Sequence, residues 1–291
     1  MSEQHHPPAL FSAMSERAAA GVMAHYSTSF SLATQLLSPR MRADVRNLYA
    51  VVRIADEIVD GAAAGVASTE IAHELTLFRQ AVFRGCALGF SSNPIIHAFA
   101  ATFRRCRIAE AQLESFFDSM ERDLGQTTHT AESRADYVYG SAEVIGLMCL
   151  AIFTANDPLL PADKPRAESG ARALGAAFQN INFLRDLATD RDLLGRTYLT
   201  DDQPFDDAAK DAIIAEIRAD LRTAYDAIPL LPRAARTGVL TAYYMFDELT
   251  RRLEAAPASV VATSRIRVPG TVKAALTARA IAHAPRLGSP R

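Results

Sequence analysis

The sequence has few of the residues on which disulfide-bonded and loop-built proteins depend. Its three cysteines, Cys86, Cys106 and Cys149, lie far apart and form no CxxC pair. That spacing indicates buried thiols in a reducing compartment rather than a disulfide framework. Glycine and proline number 14 each among 291 residues, too few to favour a loop-dominated all-β protein. Hydrophobic residues at 49% and charged residues at 22% are typical of a globular chain and not of a disordered one.

Signals for export and for membrane insertion are also lacking. The first residues show no positively charged segment followed by an apolar run, as a signal peptide would. No stretch reaches the roughly 18 uncharged apolar residues that span a bilayer. The most apolar stretch, residues 142–154, is shorter than that and contains Glu143. We therefore expect a cytoplasmic protein.

Acidic residues are absent from the C-terminal end of the chain. Residues 264–291 contain six lysine or arginine residues, so the formal net charge of −2 combines a tail of +6 with a body of −8. The near-neutral total gives no reason to expect a nucleic-acid partner. Two interpretations of residues 271–283 stay open. One is a basic helix on an anionic membrane surface, which would make the protein peripheral at the membrane; the other is a solvated basic helix.

The pattern of apolar residues is helical along most of the chain. Apolar residues recur at three- and four-residue spacing, and no sustained two-residue alternation is present. Ser, Asn or Asp before Pro marks several helix starts. We predict a single all-α domain over residues 13–291, after a disordered or frayed segment at residues 1–12. The expected helices cover residues 41–60, 68–84, 94–106, 110–124, 133–153, 165–190, 206–227 and 231–254.

The sequence contains none of several common catalytic motifs, so the candidates for a reactive site are two acidic helix faces. The sequence has no glycine-rich phosphate loop and no HExxH or GxSxG motif. Asp56 and Asp60 lie four residues apart on one predicted helix face, and Asn182, Asp186 and Asp190 recur every four residues on another. Such spacing alone is weak, because chance produces several acidic pairs of this kind on solvated faces.

Apolar neighbours set these two stripes apart from the solvated pairs. Like charges four residues apart destabilise a helix, and carboxylates on half-buried helices need a partner. A cation would supply it, and donors that are all oxygen favour Mg²⁺, or Mn²⁺, over Zn²⁺. Arg53 and Arg185 lie beside the stripes. Either they pair with neighbouring carboxylates, or they bind a diphosphate, which guanidinium groups suit well.

Three blocks of the sequence resemble the squalene and phytoene synthases, most closely the bacterial phytoene synthases of carotenoid pathways. The first block runs over residues 26–60, the second over 137–146 and the third over 174–198. The resemblance covers most of the chain. It implies the isoprenoid (terpenoid) synthase fold, an all-α helical bundle with a central cavity.

The resemblance also implies an activity and a site. Two geranylgeranyl diphosphates would condense head to head, through a cyclopropyl diphosphate, to phytoene with loss of both diphosphates. Mg²⁺ would be required and NADPH would not. The implied catalytic residues are Asp56, Asp60, Asp186 and Asp190, which with Asn182 would hold the metal. The implied substrate-binding residues are Arg53, Tyr137, Gln179, Asn182, Arg185 and Arg267.

Several positions depart from the family pattern, and two alternatives stay open. Thr28, Glu143, Thr200 and Phe246 stand where many relatives carry lysine, a small residue, proline and tyrosine respectively. None of these changes removes an expected metal ligand. One alternative is a squalene or dehydrosqualene synthase that uses farnesyl diphosphate. The other is a non-catalytic binding or assembly factor of the same fold.

Overall fold

The computed structural model describes residues 7–63, 65–124, 136–193 and 205–288, without the side chains of residues 7–8 and 188–193. All regular secondary structure within these ranges is helical, which confirms the all-α prediction. The chain divides into two compact units, one reaching Ile108 and the other beginning at Ala109. The single domain expected over residues 13–291 stays a prediction.

The first unit consists of five helices around an apolar core. Helices α1 and α3 pack against each other and against α5, and α4 packs on α3 and α5. Asn93 caps α5, because its side-chain oxygen accepts the Ile95 amide at 3.0 Å and Pro94 takes the first helical position. The helices are α1 Pro7–Tyr26, α2 Thr28–Gln35, α3 Pro39–Asp60, α4 Ser68–Leu88 and α5 Pro94–Cys106.

The frayed start predicted for residues 1–12 is wrong from residue 7 onward, because helix α1 begins at Pro7. Phe11 packs against His97 with ring centroids 4.8 Å apart. Ser12 Oγ lies 3.1 Å from His97 Nε2, so a hydrogen bond joins the two side chains. These contacts link residues about 85 positions apart in the chain and were not visible in local sequence patterns. Residues 1–6 lie outside the described residues.

The second unit is built around α8, which at 30 residues is the longest of the described helices. Helix α7 includes one turn of π-helix, Tyr139–Glu143, before a regular stretch, Val144–Thr154. Helix α8 packs against α7 and α9, and α10 packs against α9 and α12. The helices are α6 Glu110–Asp123, α7 Asp136–Thr154, α8 Lys164–Leu193, α9 Asp207–Ala227, α10 Arg233–Ala255, α11 Ala258–Val261 and α12 Gly270–His283.

The predicted helices agree closely with the observed ones. Seven of the eight begin within two residues of the predicted start; for the eighth, α7, residues 133–135 lie outside the described residues. Helix α7, with 19 residues and a mean hydropathy of 1.5 over its most apolar 18, is long and apolar enough to cross a membrane, a property that core helices share. In the structure α7 packs against α6 and α8, and 44% of its most apolar 18-residue stretch is buried.

Residues 271–283 form most of α12, and this basic segment is attached to α10. The hydroxyl oxygen of Tyr244 in α10 lies 2.5 Å from His283 Nδ1. The Arg279 guanidinium lies 4.4 Å from the centre of the Tyr244 ring. Ala280 is fully buried in this contact region, whereas Ile281 is half exposed. The structure therefore contains the helix that both interpretations of residues 271–283 assume. Its binding to a membrane surface stays a prediction.

Candidate active site

The last two turns of α3 carry the first acidic stripe. Asp56 is half-buried and Asp60 is exposed at the final residue of the helix. The four-residue spacing places both carboxylates on one face, as predicted. Gly61 follows the last residue of α3, and an added Cβ at Gly61 would meet the carboxyl group of Glu57. The chain therefore turns closely around this acidic end of α3.

Arg53 is held beside that stripe by several partners. Its Nη2 donates to Glu57 Oε1, and its Nη1 lies 4.0 Å from Asp56 Oδ2. The guanidinium carbon lies 4.3 Å from the centre of the Tyr26 ring. Burial opposes the charge of Arg53, but the carboxylates of Glu57 and Asp56 outweigh it and hold its pKa above the usual value. Sequence reasoning missed Glu57, which is the nearer acidic partner.

The second stripe lies on α8, where Asp186 is bound by two guanidinium groups. Arg185 Nε donates to Asp186 Oδ1 at 3.0 Å, and Arg185 Nη2 donates to Oδ2. Arg265 Nε also lies 2.9 Å from Oδ1. The Asp186 side chain is 22% exposed and that of Arg265 is 44% exposed. This site thus meets solvent but is fixed by charge-assisted hydrogen bonds.

Arg265 and Lys273 are residues that sequence reasoning left without a role. Burial lowers the pKa of the Lys273 ammonium, and the nearby charge of Arg185 lowers it further. Arg185 and Arg265 bind Asp186, and Lys273 lies near enough to Arg185 to feel its charge; we call these three residues the basic cluster. Arg267, predicted to bind a diphosphate, is exposed, and its neighbour Arg265 makes the contact to Asp186 instead. The concentration of positive charge after residue 264 was the signal for such a cluster.

The other predicted members of the α8 stripe are only partly described. Asn182 lies one turn before Asp186, and its Oδ1 is buried without a hydrogen-bond partner among the described residues. Asp190 lies within α8, but its side chain is outside the described residues. Gln179 lies a further turn back and is half-buried. The side chains that the structure describes do not form a group of three or more His, Cys, Asp or Glu suited to a metal.

Aromatic side chains line α8 beside these polar groups. Tyr137, 5% exposed, donates its hydroxyl proton to Asp123 Oδ2 at 2.7 Å. Its ring stacks on Phe183, with centroids 6.0 Å apart. Phe178 stacks on Phe246 with centroids 3.8 Å apart. The structure thus brings Tyr137, α8 and the basic cluster together in the second unit, while Arg53, Asp56 and Asp60 belong to the first.

Mg²⁺ suits the donors on α8, which are carboxylate and amide oxygens. The unpartnered Asn182 oxygen is an acceptor that a cation would satisfy. The residues present therefore fit the ion that the acidic stripes suggest.

Known proteins resemble this chain in sequence. A family model described as squalene/phytoene synthase matches residues 23–204. A phytoene synthase of Arthrospira platensis is 29% identical over 195 residues, which cover 65% of this chain and 60% of that protein. A 4,4'-diapophytoene synthase of Staphylococcus haemolyticus is 29% identical over 171 residues, 58% of this chain and 56% of that protein. The match therefore spans somewhat more than half the length of these two relatives.

Other relatives match over more of their length, and solved structures share the fold. A phytoene synthase of Mycobacterium tuberculosis is 29% identical over 281 residues, 89% of this chain and 88% of that protein. A dehydrosqualene synthase structure, 19% identical, superposes with a TM-score of 0.78 over 94% of this chain and 98% of its own. The structure of a squalene synthase from Alicyclobacillus acidocaldarius, 17% identical, superposes with a TM-score of 0.71 over 84% of this chain and 96% of its own. The predicted fold class is confirmed.

Proposed function

The chain belongs to the squalene/phytoene synthase family, and we propose that it condenses two molecules of geranylgeranyl diphosphate head to head to phytoene. The reaction would pass through a cyclopropyl diphosphate, release both diphosphates and lose a proton. It would need Mg²⁺ but no NADPH, and would serve carotenoid biosynthesis in the cytoplasm or at the membrane surface. The observation that carries the proposal is the basic cluster, in which Arg185 and Arg265 both bind Asp186 and Lys273 lies near Arg185.

The basic cluster suits a diphosphate because its positive charges are crowded. Arg185 and Arg265 share one carboxylate, Asp186, and the charge of Arg185 already disfavours the protonated form of Lys273. A diphosphate brings several negative charges and acceptor oxygens that guanidinium groups bind in a planar, bidentate geometry. Binding it would relieve the repulsion between Arg185 and Lys273. We infer that Arg265 fills the role that the resemblance assigned to Arg267.

The proposed metal ligands are Asp56, Asp60, Asn182, Asp186 and Asp190. When bound, Mg²⁺, or Mn²⁺, would neutralise negative charge on the departing diphosphate and so ease its release. Asn182 offers an unpartnered oxygen for this purpose. Arg185 and Arg265, whose Nε atoms lie 2.9–3.0 Å from Asp186 Oδ1, keep that carboxylate oriented. Arg53 would bind diphosphate beside the α3 carboxylates.

Aromatic side chains in the second unit would protect the reacting carbons from water. Phe178 and Phe246 form one stacked pair, and Tyr137 and Phe183 form the other. Aromatic faces attract a carbocation, and apolar walls keep it from being quenched by water. Tyr137 and Gln179 would position the substrate. Phe246 carries no hydroxyl at the place where many relatives have tyrosine, so that contact is purely apolar.

A second candidate is the condensation of farnesyl diphosphate to a dehydrosqualene-type product. One observation favours it: a relative named 4,4'-diapophytoene synthase is as similar, at 29% identity, as the one named phytoene synthase. The two candidates share their chemistry and differ in chain length. A non-catalytic role is disfavoured because both acidic stripes are intact.

The proposal is tested by measuring metal-dependent release of diphosphate from each prenyl diphosphate. Asp186→Asn should abolish release, because the variant removes the carboxylate that joins the basic cluster to the metal site. Glu74→Gln, which removes an exposed carboxylate from α4, is the matched control and should retain wild-type release. Wild-type activity in Asp186→Asn, or no release from either substrate by the wild-type protein, would overturn the proposal.

A further inference from the structure

The π-helical turn of α7, Tyr139–Glu143, lies just after Tyr137. A π turn carries one more residue than an α turn, so it rotates the residues before it relative to those after it. Such turns are rare and frequently mark functional sites. Glu143, the last residue of the turn, is also one of the four positions at which this sequence departs from the family pattern.

One side chain of α8 holds both ends of this turn. Arg172 Nε donates to Glu143 Oε2 at 2.6 Å. The Arg172 guanidinium also lies 5.3 Å from the centre of the Tyr139 ring, at the other end of the turn. The Glu143 side chain is 18% exposed and that of Arg172 is 51% exposed, so the carboxylate is the better shielded partner of a pair that solvent reaches from the guanidinium side. The cation–π contact adds to it.

The backbone of the turn is packed tightly between two helices. An added Cβ on Gly140 would lie 2.7 Å from the Ser115 carbonyl oxygen of α6. An added Cβ on Gly175 of α8 would collide with the Ala142 carbonyl group within the turn. Because backbone meets backbone on both sides, the turn cannot shift without moving α6 or α8. Its position is therefore coupled to α8, two turns before Asn182.

The charges around the turn explain why Glu143 needs a cation. A cleft of about 580 Å³ runs beside it, lined also by Glu168 and Asp220. Burial raises the pKa of Asp220 to about 6, and the carboxylates of Glu143 and Glu216 add to that shift. Arg172 is the one cation among the described residues that line the cleft. Without it, no cation among the described residues that line the cleft would offset the repulsion between Glu143 and Asp220.

We propose that Arg172 is a positioning residue that fixes the π turn and, through it, the ring of Tyr137. Tyr137 precedes the turn by two residues and stacks on Phe183 of α8, which lies between the site residues Asn182 and Arg185. Because the turn is packed on the backbone of α8, loss of the clamp would let the turn and the adjoining part of α8 shift together and displace the Tyr137 ring. The effect on catalysis rests on the proposed function, whereas the effect on the turn does not.

The test combines hydrogen exchange with kinetics on the full chain. In Arg172→Gln, amides of residues 137–147 should exchange at least about tenfold faster than in the wild type. The same variant should lose about tenfold or more in kcat/KM, since small misplacements of a positioning group are costly. Arg172→Lys should restore part of this loss, because it keeps the charge that Glu143 needs. Glu254→Gln, which breaks the exposed ion pair with Arg218, is the control and should change neither quantity.

The double variant Arg172→Gln/Glu143→Gln separates positioning from stability. It removes both charges, so its melting temperature should return toward the wild-type value while kcat/KM stays low. Unchanged exchange over residues 137–147 in Arg172→Gln would overturn the proposal. So would a double variant whose kcat/KM recovers together with its melting temperature. If the wild-type protein converts no prenyl diphosphate, the proposed function fails, and the exchange measurement still decides whether Arg172 holds the turn.

Discussion

Removal of the Arg265 guanidinium should impair substrate binding far more than it impairs folding. Arg265 Nε lies 2.9 Å from Asp186 Oδ1, but the Arg265 side chain is 44% exposed. An ion pair at such a position contributes only about 0–1 kcal/mol to stability. Arg265→Gln should therefore lower the melting temperature by no more than a few degrees. Asp186 would keep its second guanidinium partner, Arg185.

The same substitution should cost much more when a diphosphate is bound. A hydrogen bond to a charged group contributes about 1.5–3 kcal/mol. At 1.36 kcal/mol per factor of ten, this corresponds to a loss of about 10- to 150-fold in kcat/KM. The loss should fall mainly on KM if Arg265 binds the substrate and the departing diphosphate equally. Steady-state release of diphosphate at saturating Mg²⁺ measures both parameters.

Arg267→Gln is the matched control. Arg267 lies two residues after Arg265, carries the same charge and is also exposed. We expect Arg267→Gln to change kcat/KM less than threefold, a threshold that corresponds to about 0.7 kcal/mol. A larger loss in Arg267→Gln than in Arg265→Gln would refute the assignment of Arg265. It would restore the role for Arg267 that the family resemblance implied.

Two further predictions follow from the second unit. Tyr137→Phe removes the 2.7 Å hydrogen bond to Asp123 and leaves a buried carboxylate with one donor fewer, so thermal denaturation should show a loss of about 1–3 kcal/mol. Wild-type stability in that variant would argue against the bond. Asp220 has a folded-state pKa of about 6, raised by burial and by Glu143 and Glu216, so it destabilises the fold increasingly as pH rises from about 4 to 6. Asp220→Asn should therefore raise the melting temperature at pH 7.5 and have little effect at pH 4; the opposite trend would contradict the shift.

Local sequence patterns predicted most of the helices because apolar periodicity and helix caps are local. The Asn93–Pro94 start of α5 is an example, since the cap and the first helical residue are adjacent. The start of helix α1 was predicted to be disordered or frayed because the contacts that hold it, from Phe11 to Phe90 and His97, come from far along the chain. Contacts of that kind leave no periodic signal.

Sequence spacing indicated the acidic residues of the candidate site, which stay a prediction, but it did not indicate Arg265. Asp186 and Asn182 share a helix face, and a helix face is readable from spacing. Arg265 and Arg267 lie in a segment without helix, where spacing does not tell which of the two reaches Asp186. Glu143 likewise had no explanation until its partner Arg172, 29 residues away, was seen in the structure.

The carbon number of the product tests the central claim most directly. Purified protein should be supplied with geranylgeranyl and farnesyl diphosphates in separate reactions, with Mg²⁺ and without NADPH, and the extracted hydrocarbons identified by mass spectrometry. The account predicts a C40 hydrocarbon from geranylgeranyl diphosphate. A C30 product from farnesyl diphosphate alone would contradict it.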